Sequence, residues 1–414
     1  MEQPHDAPAS KTAVVAASRF DAIVVGGGPV GLAAALALAG AGLATALVAP
    51  PAPPADGRTV ALLDGSVRFL DGLGAWHRIA DAAAPLATLR IIDDTGSLFR
   101  PPPVSFGSAE IGLDAFGWNV EVSRLVASLR ESAEAAPGLT LVEGSAVDLV
   151  RAGDATEIVL DEGRRLAAGL AVAADGARSR LREAAGIATR AWDYPQSALT
   201  TLLAHERPHA DASTEFHTRD GPFTLVPLAG GRRSSLVWVA RADEAERLAA
   251  LDDAALARAI EARCRSMLGV MRVDGPRGVV PMRGATAARL TAPGLALVGE
   301  AAHVFPPIGA QGLNLGLRDA AALAESVAEA GRRGQAPGGP ESLAGYERAR
   351  RLDVRARSAA VDLLNRSLLT QFLPVDLARG AGLLALGALG PLRRAVMRAG
   401  VLPRSAPRAM RDAG

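Results

Sequence analysis

The fold class this sequence predicts is α/β: a parallel sheet with covering helices, an antiparallel β-sheet inserted into it, and a C-terminal helical region. Three observations carry that expectation. Residues 22–55 hold no charged side chain, yet Gly26–Gly28, Pro29, Gly31, Gly40 and Gly42 interrupt them. The run therefore resolves into strand, turn, helix and strand, the interior pattern of a parallel sheet covered on both faces. Two later apolar stretches, Leu170–Ala174 and Leu295–Val298, each end in a polar turn that contains glycine. Between them residues 190–285 alternate apolar and polar side chains, as half-buried antiparallel strands do.

The composition agrees. The chain has 414 residues, 49 % apolar and 21 % charged, with a formal net charge of +1. That length allows two or three domains and a core that needs no staples. Cys264 is the single cysteine, so a disulfide scaffold and a thiolate metal site are both excluded. The near-neutral balance argues against nucleic acid as a partner. One lysine, Lys11, stands against 44 arginines, a skew we read as genomic. Met1–Arg19 carries Glu2 and Asp6 and lacks a basic start, so it reads as a disordered leader and not as an export signal.

Phe20–Val25 is the first expected strand and Val30–Ala39 the first helix. Gly26-Gly27-Gly28-Pro29-Val30-Gly31 joins them, a G-x-G-x-x-G turn in the strand–helix context that gives the pattern meaning. Gly26 permits the tight turn, Gly28 lets a pyrophosphate approach the backbone, and Gly31 lets helix and strand pack closely. Read alone, the motif is either a phosphate-binding turn or a purely structural one. Leu43–Val48 is the second strand. An acidic residue that would hold a ribose is expected at its end, and Ala49 and Pro50 stand there instead; Asp56 or a backbone group are the substitutes the sequence offers.

After Leu170–Ala174 comes Asp175-Gly176, which reads as a strand-to-helix turn with Asp175 as a cap. Leu295–Val298 leads into Gly299-Glu300-Ala301-Ala302-His303 and then the glycine-rich loop Pro306–Asp319, which opens the helix Ala320–Ala330. Such a loop presents free backbone N–H groups to an anionic or electron-accepting ligand.

In this order the three blocks resemble the flavoprotein aromatic hydroxylases of the para-hydroxybenzoate hydroxylase type, over nearly the whole chain. The resemblance implies a Rossmann-like (GR2-type) FAD-binding domain and FAD as cofactor. It places Gly26, Gly28 and Gly31 in the first FAD motif and Asp175 and Gly176 in a motif shared by FAD and NAD(P)H. Gly299 and Glu300 fall in the ribose motif, where Glu300 replaces the usual Asp. Arg124, opening the helix Leu125–Ala135, is similar to the arginine that meets the FAD phosphates. Within that family the chain is most similar to the ubiquinone-biosynthesis hydroxylases. The stretch Pro307-Ile308 to Arg318-Asp319 carries this, supported by Asp56–Leu62 with Arg58, by Gly221–Leu228 and by Leu364-Asn365-Arg366. Pro306, Gly309, Gln311, Gly312 and Asn314 are then cofactor-binding positions beside the flavin ring.

The implied reaction uses NADH or NADPH as a transient electron donor, and dioxygen, to hydroxylate a polyprenylated phenol. FAD does the hard step, and the protein positions the ring, excludes water and stabilises charge. No catalytic side chain is required and no metal. His303 is the nearest candidate, read either as a base or as a packing residue at the turn. Phe223, Leu225 and Pro307 are candidates to line the substrate cavity, with sheet core as the alternative for the first two.

The expected domains are a leader 1–19; a FAD-binding domain of 20–75, 110–190 and 286–360; a substrate domain of 76–109 and 191–285; and a C-terminal helical tail 361–414. Within the insertion, Phe223–Val226 and Ser235–Val239 read as a hairpin across Ala229–Arg232. Residues 361–402 are rich in leucine, and from Ala378 to Gly414 seven arginines face one acid, Asp412. That end is either a helix docked on the flavin domain or a surface for a membrane or a quinone-biosynthesis complex. The expected location is cytoplasmic, peripheral at the inner membrane. Two other functions stay open from sequence: hydroxylation of a small soluble aromatic compound, and a flavin-free scaffold subunit.

Overall fold

The computed structural model describes residues 18–369 apart from 52–53, 97–101, 162 and 307–310, and, beyond 381, residues 382, 386, 388–401, 403 and 405–411. The leader expected over 1–19 lies outside these residues except for Ser18 and Arg19, which already belong to the first strand, Ser18–Val25.

That strand is central to the first sheet, whose order is Thr291–Ala292, Leu295–Leu297, Arg165–Ala173, Ser18–Val25, Thr45–Ala49, Leu139–Glu143. All neighbours from Leu295–Leu297 to Leu139–Glu143 run parallel. Ala22, Ile23 and Val24 are fully buried, which accounts for the continuous apolar run in the sequence. The helix Pro29–Gly40 carries no charge because it lies between the sheet and two other helices, Val122–Ala135 and Gln311–Arg332. A helix apolar on all sides is a buried helix, not an amphipathic one.

A second sheet of nine strands contains Thr88–Asp93 and Val104–Gly107 together with the strands between Thr189 and Ala287 and the short strand His303–Val304. The expected hairpin is present as Gly221–Leu228 paired antiparallel with Arg233–Arg241. The sheet is not wholly antiparallel, however: Ala212–Thr218 pairs parallel with Thr88–Asp93, because those two strands come from separate insertions. The strands Thr189–His205 and Gly278–Ala287, both of this second sheet, run across the sequence boundaries drawn at 190/191 and 285/286.

Two helices, Ala242–Ala249 and Asp253–Arg263, cover one face of this sheet. Phe216, Phe223, Leu225, Leu236 and Trp238 meet Leu248, Leu256 and Ile260 there in one core. Strand alternation puts Glu215, Thr224, Ser235 and Val237 on the opposite face. A three-stranded sheet, Thr59–Leu63, Gly117–Glu121 and Ala84–Pro85, bridges the two. Its Asn119 Nδ2 donates to Pro227 O at 2.8 Å and to Ser235 Oγ at 3.3 Å.

The helix Pro340–Leu369 lies against Gln311–Arg332. Most of the leucine-rich tail, and its pairs at 363–373 and 383–385, fall outside the residues whose side chains are described. Beyond it the helix Gly390–Val401 seats Met397 and Val401 on Val104, Phe106 and Phe116. Ala406 and Met410 then enter the core of the first sheet. Among the described residues no helix is long and apolar enough to cross a membrane.

Candidate functional site

The three sequence constellations come together at the carboxyl edge of the parallel sheet. A Cβ on Gly26, whose φ is +126°, would stand 2.1 Å from Ala174 O, and one on Gly31 would stand 1.9 Å from Gly26 O. Both glycines are required because backbone passes backbone there. Gly28 is different: a Cβ on it would meet nothing within 4 Å. Gly28 is also the N-cap of the helix Pro29–Gly40, with no side-chain cap and no acidic residue in the first turn. Its free N–H groups and the positive end of the helix dipole therefore form an open cradle for an anion.

Asp175 stands next to this cradle. Its Oδ2 accepts from the N–H groups of Arg180 at 2.8 Å and Leu181 at 3.3 Å, while Oδ1 is buried and has no protein partner. The cap of the helix Arg180–Ala184 is Ser179, whose Oγ accepts from Arg182 N at 3.0 Å. Asp175 thus shares the capping that the sequence suggested for it and keeps one oxygen spare. Arg182, which sequence reasoning passed over, ties this turn to the third block: its buried guanidinium donates to Ala177 O and Ala301 O at 3.0 and 3.1 Å.

The third block is packed onto the first. Cβ atoms on Gly299 and Gly316 would stand 3.2 Å and 2.7 Å from Val30 side-chain carbons, so the turn Gly299–Ala301 and the helix Gln311–Arg332 close on the first motif. Glu300 projects from that turn into solvent. Beneath it lies a buried ionic chain. His303 Nε2 and Gly299 N both donate to Asp319 Oδ2, at 2.6 and 3.0 Å, and Arg350 Nε donates to Asp319 Oδ1 at 2.7 Å. Arg350, Arg318 and Arg357 all converge on Asp353, and Arg357 Nη1 donates to Gln311 Oε1 at 2.6 Å.

The electrostatics follow from that geometry. Burial works to raise the Asp319 carboxyl, but the charges of His303 and Arg350 and their hydrogen bonds outweigh it and hold it below the ordinary value. Asp353 is held lower in the same way by its three arginines. Burial and the neighbouring Arg357 bring the Arg318 guanidinium down to about 10, in spite of Asp353. Arg350, Asp353 and Arg357 share one helix face at spacings of three and four, a pattern visible in sequence, although nothing there names Asp319 as their target.

Other expected site residues are placed as follows. Asn314 Oδ1 accepts from Leu63 N and its Nδ2 donates to Ala61 O, both at 2.8 Å, so it clamps the strand Thr59–Leu63. Gln311 and Gly312 form the first turn of the helix, Pro306 is buried before it, and Pro307 and Gly309 lie outside the described residues. The stretch from Gln311 to Asp319, expected as loop, is helical. Arg124 is exposed in the first turn of the helix Val122–Ala135. Arg58 is 65 % exposed and pairs with Asp56 at 2.5 Å. Phe223 and Leu225 do not line a cavity; alternation turns them toward the covering helices, into the core, with Phe223 fully buried. His303 is sealed, and its Nδ1 is buried without a protein partner. As for the missing acid, Ala49 pairs in parallel register with Glu143, an exposed carboxylate at the same edge of the sheet.

An open glycine cradle, a helix start without an acidic residue, a free carboxylate at Glu300 and a spare oxygen on Asp175 fit a dinucleotide with a pyrophosphate and ribose hydroxyls. The comparisons with known proteins agree. Residues 19–360 match the family model described as FAD binding domain. The chain is 36 % identical to the ubiquinone hydroxylase UbiL of Rhodospirillum rubrum, over 91 % of this chain and 88 % of that protein. It is 34 % identical to the 3-demethoxyubiquinol 3-hydroxylase of Escherichia coli, over 91 % and 96 %. Among solved structures, p-nitrophenol 4-monooxygenase PnpA of Pseudomonas putida superposes with a TM-score of 0.73 at 20 % identity, covering 92 % of this chain and 97 % of that one.

Proposed function

The chain belongs to the FAD-binding-domain family and, within it, to the ubiquinone-biosynthesis hydroxylases, and we propose that it hydroxylates the aromatic ring of a polyprenylated phenol with NADH or NADPH and dioxygen. The observation that carries the reading is the convergence of Gly26–Gly31, Asp175 and Gly299–Gly316 on one open cradle.

When bound, FAD would supply the redox and oxygen-transfer chemistry that a hydroxylation with NADH or NADPH and dioxygen needs. The residues have separable tasks. The N–H groups after Gly28 would hold the pyrophosphate, and Arg124 would support it from the start of its own helix. Glu300, exposed on its turn, would hold the ribose hydroxyls. Asn314 fixes the strand Thr59–Leu63 against the helix Gln311–Arg332, and the first N–H groups of that helix would stabilise negative charge on a bound flavin. The inserted sheet would cover the bound ring and exclude water.

The lipid character of the substrate is supported by the helix Gly390–Val401. Met397 and Val401 dock it, while Leu389, Leu392 and Val396 are 53 %, 45 % and 46 % exposed and Arg394 and Arg398 flank them. An apolar face edged by arginine suits an anionic bilayer surface. The test of the function is deletion of the gene followed by mass spectrometry of quinone precursors. A precursor lacking one ring hydroxyl is expected to accumulate, and an unchanged quinone pool would defeat the reading.

A further inference from the structure

The inner face of the inserted sheet carries an ionisable pair that the FAD site does not use. His217 Nε2 lies 2.8 Å from Glu215 Oε1, and Thr224 Oγ1 donates to Glu215 Oε2 at 3.3 Å. The His217 side chain is 6 % exposed and that of Glu215 19 %. His217 Nδ1 is buried and has no protein partner. Burial works to raise the Glu215 carboxyl, but the His217 and Thr224 hydrogen bonds leave it below the ordinary value, so it is an acceptor at neutral pH.

The direction of this face matters. Phe216 and Phe223, the neighbours of Glu215 and Thr224 in the strands, point into the helix-covered core. Glu215 and Thr224 therefore point the other way, to the side where Asn119 reaches Ser235. Asn119 pairs with Ala61, whose carbonyl accepts from Asn314 Nδ2 of the helix Gln311–Arg332, a candidate flavin-binding segment. At the other margin Ile91, in register with Glu215, packs with Met397 and Val401 of the docked C-terminal helix. The pair thus sits on a face framed by the flavin-binding segment and by the helix with the exposed apolar edge.

We propose that His217 is the base that receives the phenolic proton of the substrate, with Glu215 and Thr224 as its positioning residues. The inference rests on the hydroxylase reading and adds the group that activates the ring. A carboxylate on Nε2–H fixes the tautomer that leaves Nδ1 as the acceptor. The phenol O–H proton passes to Nδ1, the imidazolium is held by Glu215, and the phenolate oxygen releases electron density into the ring. The hydroxylated ring carbon then loses its proton to water as the ring regains aromaticity, and Nδ1 returns its own proton to the phenolate oxygen of the product. Asp93 stands beside His217 in the parallel register, its Oδ1 accepting from Thr95 N and Thr95 Oγ1.

The experiment uses the flavin-loaded enzyme and 4-nitrophenol, whose ionisation is read by absorbance. The wild type is expected to bind the phenolate at a pH where the free probe is still largely protonated. In His217→Gln the apparent ionisation of the bound probe is expected to rise by about one pH unit, and kcat/KM for the quinone precursor to fall about 100-fold, with flavin content unchanged. Glu215→Gln and Thr224→Val are expected to shift the ionisation in the same direction by less. Unchanged ionisation in His217→Gln overturns the role while leaving the hydroxylase reading intact, provided the wild type hydroxylates the precursor. Loss of flavin in all three variants marks a structural pair and also overturns it. A wild type that neither binds phenols nor hydroxylates the precursor overturns both.

Discussion

His303 Nε2 stands 2.6 Å from Asp319 Oδ2, and both side chains are sealed from solvent. The same carboxylate receives Arg350 and the Gly299 N–H, so one buried acid organises the turn that presents Glu300. Asp319→Asn leaves Arg350 without its main partner. Breaking such a buried pair costs about 3–5 kcal/mol. The expected outcome is a lower urea midpoint and loss of bound flavin, read by denaturation and by visible absorbance; a variant as stable and as yellow as the wild type would refute this.

The same cluster sets an acid limit. Asp319 and Asp353 titrate below the ordinary value of 3.8 in the folded protein and at that value when unfolded. Their contribution to stability is complete above the ordinary value and is lost as pH falls through the folded values, because the unfolded chain takes up protons first. Stability should therefore decline progressively on acidification below about pH 5. Asp353→Asn should be less stable at pH 7 and decline less steeply, as urea unfolding at a series of pH values would show.

Two glycines separate folding from binding. Gly26→Ala drives a methyl into Ala174 O at a positive φ, so soluble protein should fall sharply. Gly28→Ala adds a methyl in open space, so the flavin-free protein should melt within about 0.5 kcal/mol of wild type. Its flavin affinity should drop, since the methyl stands where the phosphate approaches. Flavin titration of Gly28→Ala with unchanged affinity would remove the cradle from the site.

Glu300 and Glu143 divide the ribose question. A hydrogen bond to a carboxylate contributes about 1.5–3 kcal/mol, so Glu300→Ala should weaken flavin binding by roughly 10- to 100-fold. Glu143→Ala tests whether the acid beside Ala49 takes the place of one at the end of Thr45–Ala49. An effect of similar size is the expected result, measured by equilibrium titration.

The exposed face of Gly390–Val401 predicts behaviour on lipid. Leu392→Asp with Val396→Asp should abolish flotation with anionic liposomes at low salt and leave flavin content unchanged, because Met397 and Val401 still dock the helix. Flotation of the double variant at the wild-type level would exclude this helix as the contact.

What sequence made legible follows local periodicity. The uncharged run 22–55, the glycine turn and the Phe223–Val239 hairpin are patterns within a few residues, and each element stands where it was expected. What depends on distant partners was not legible. Nothing near Arg350 signals Asp319, and nothing near Arg182 signals Ala301. From sequence Phe223 is a cavity candidate with sheet core as the default, and it lies in the core; alternation identifies two faces and not which of them the helices cover. The run Gln311–Asp319 reads as loop through its glycines, yet the close contact of Gly316 with Val30 calls for a glycine inside a helix.

The contact of Val30 with Gly299 and Gly316 also has a consequence for biosynthesis. The first strand, Ser18–Val25, is made early, but its neighbour Arg165–Ala173 comes much later, and Leu295–Leu297 and Gly316 later still. A ribosome must release most of the chain before the cradle has walls. Until then Ala22–Val25 and the uncharged helix are naked apolar surface, so expression level should depend on chaperone supply and on the flavin available at the moment of closure.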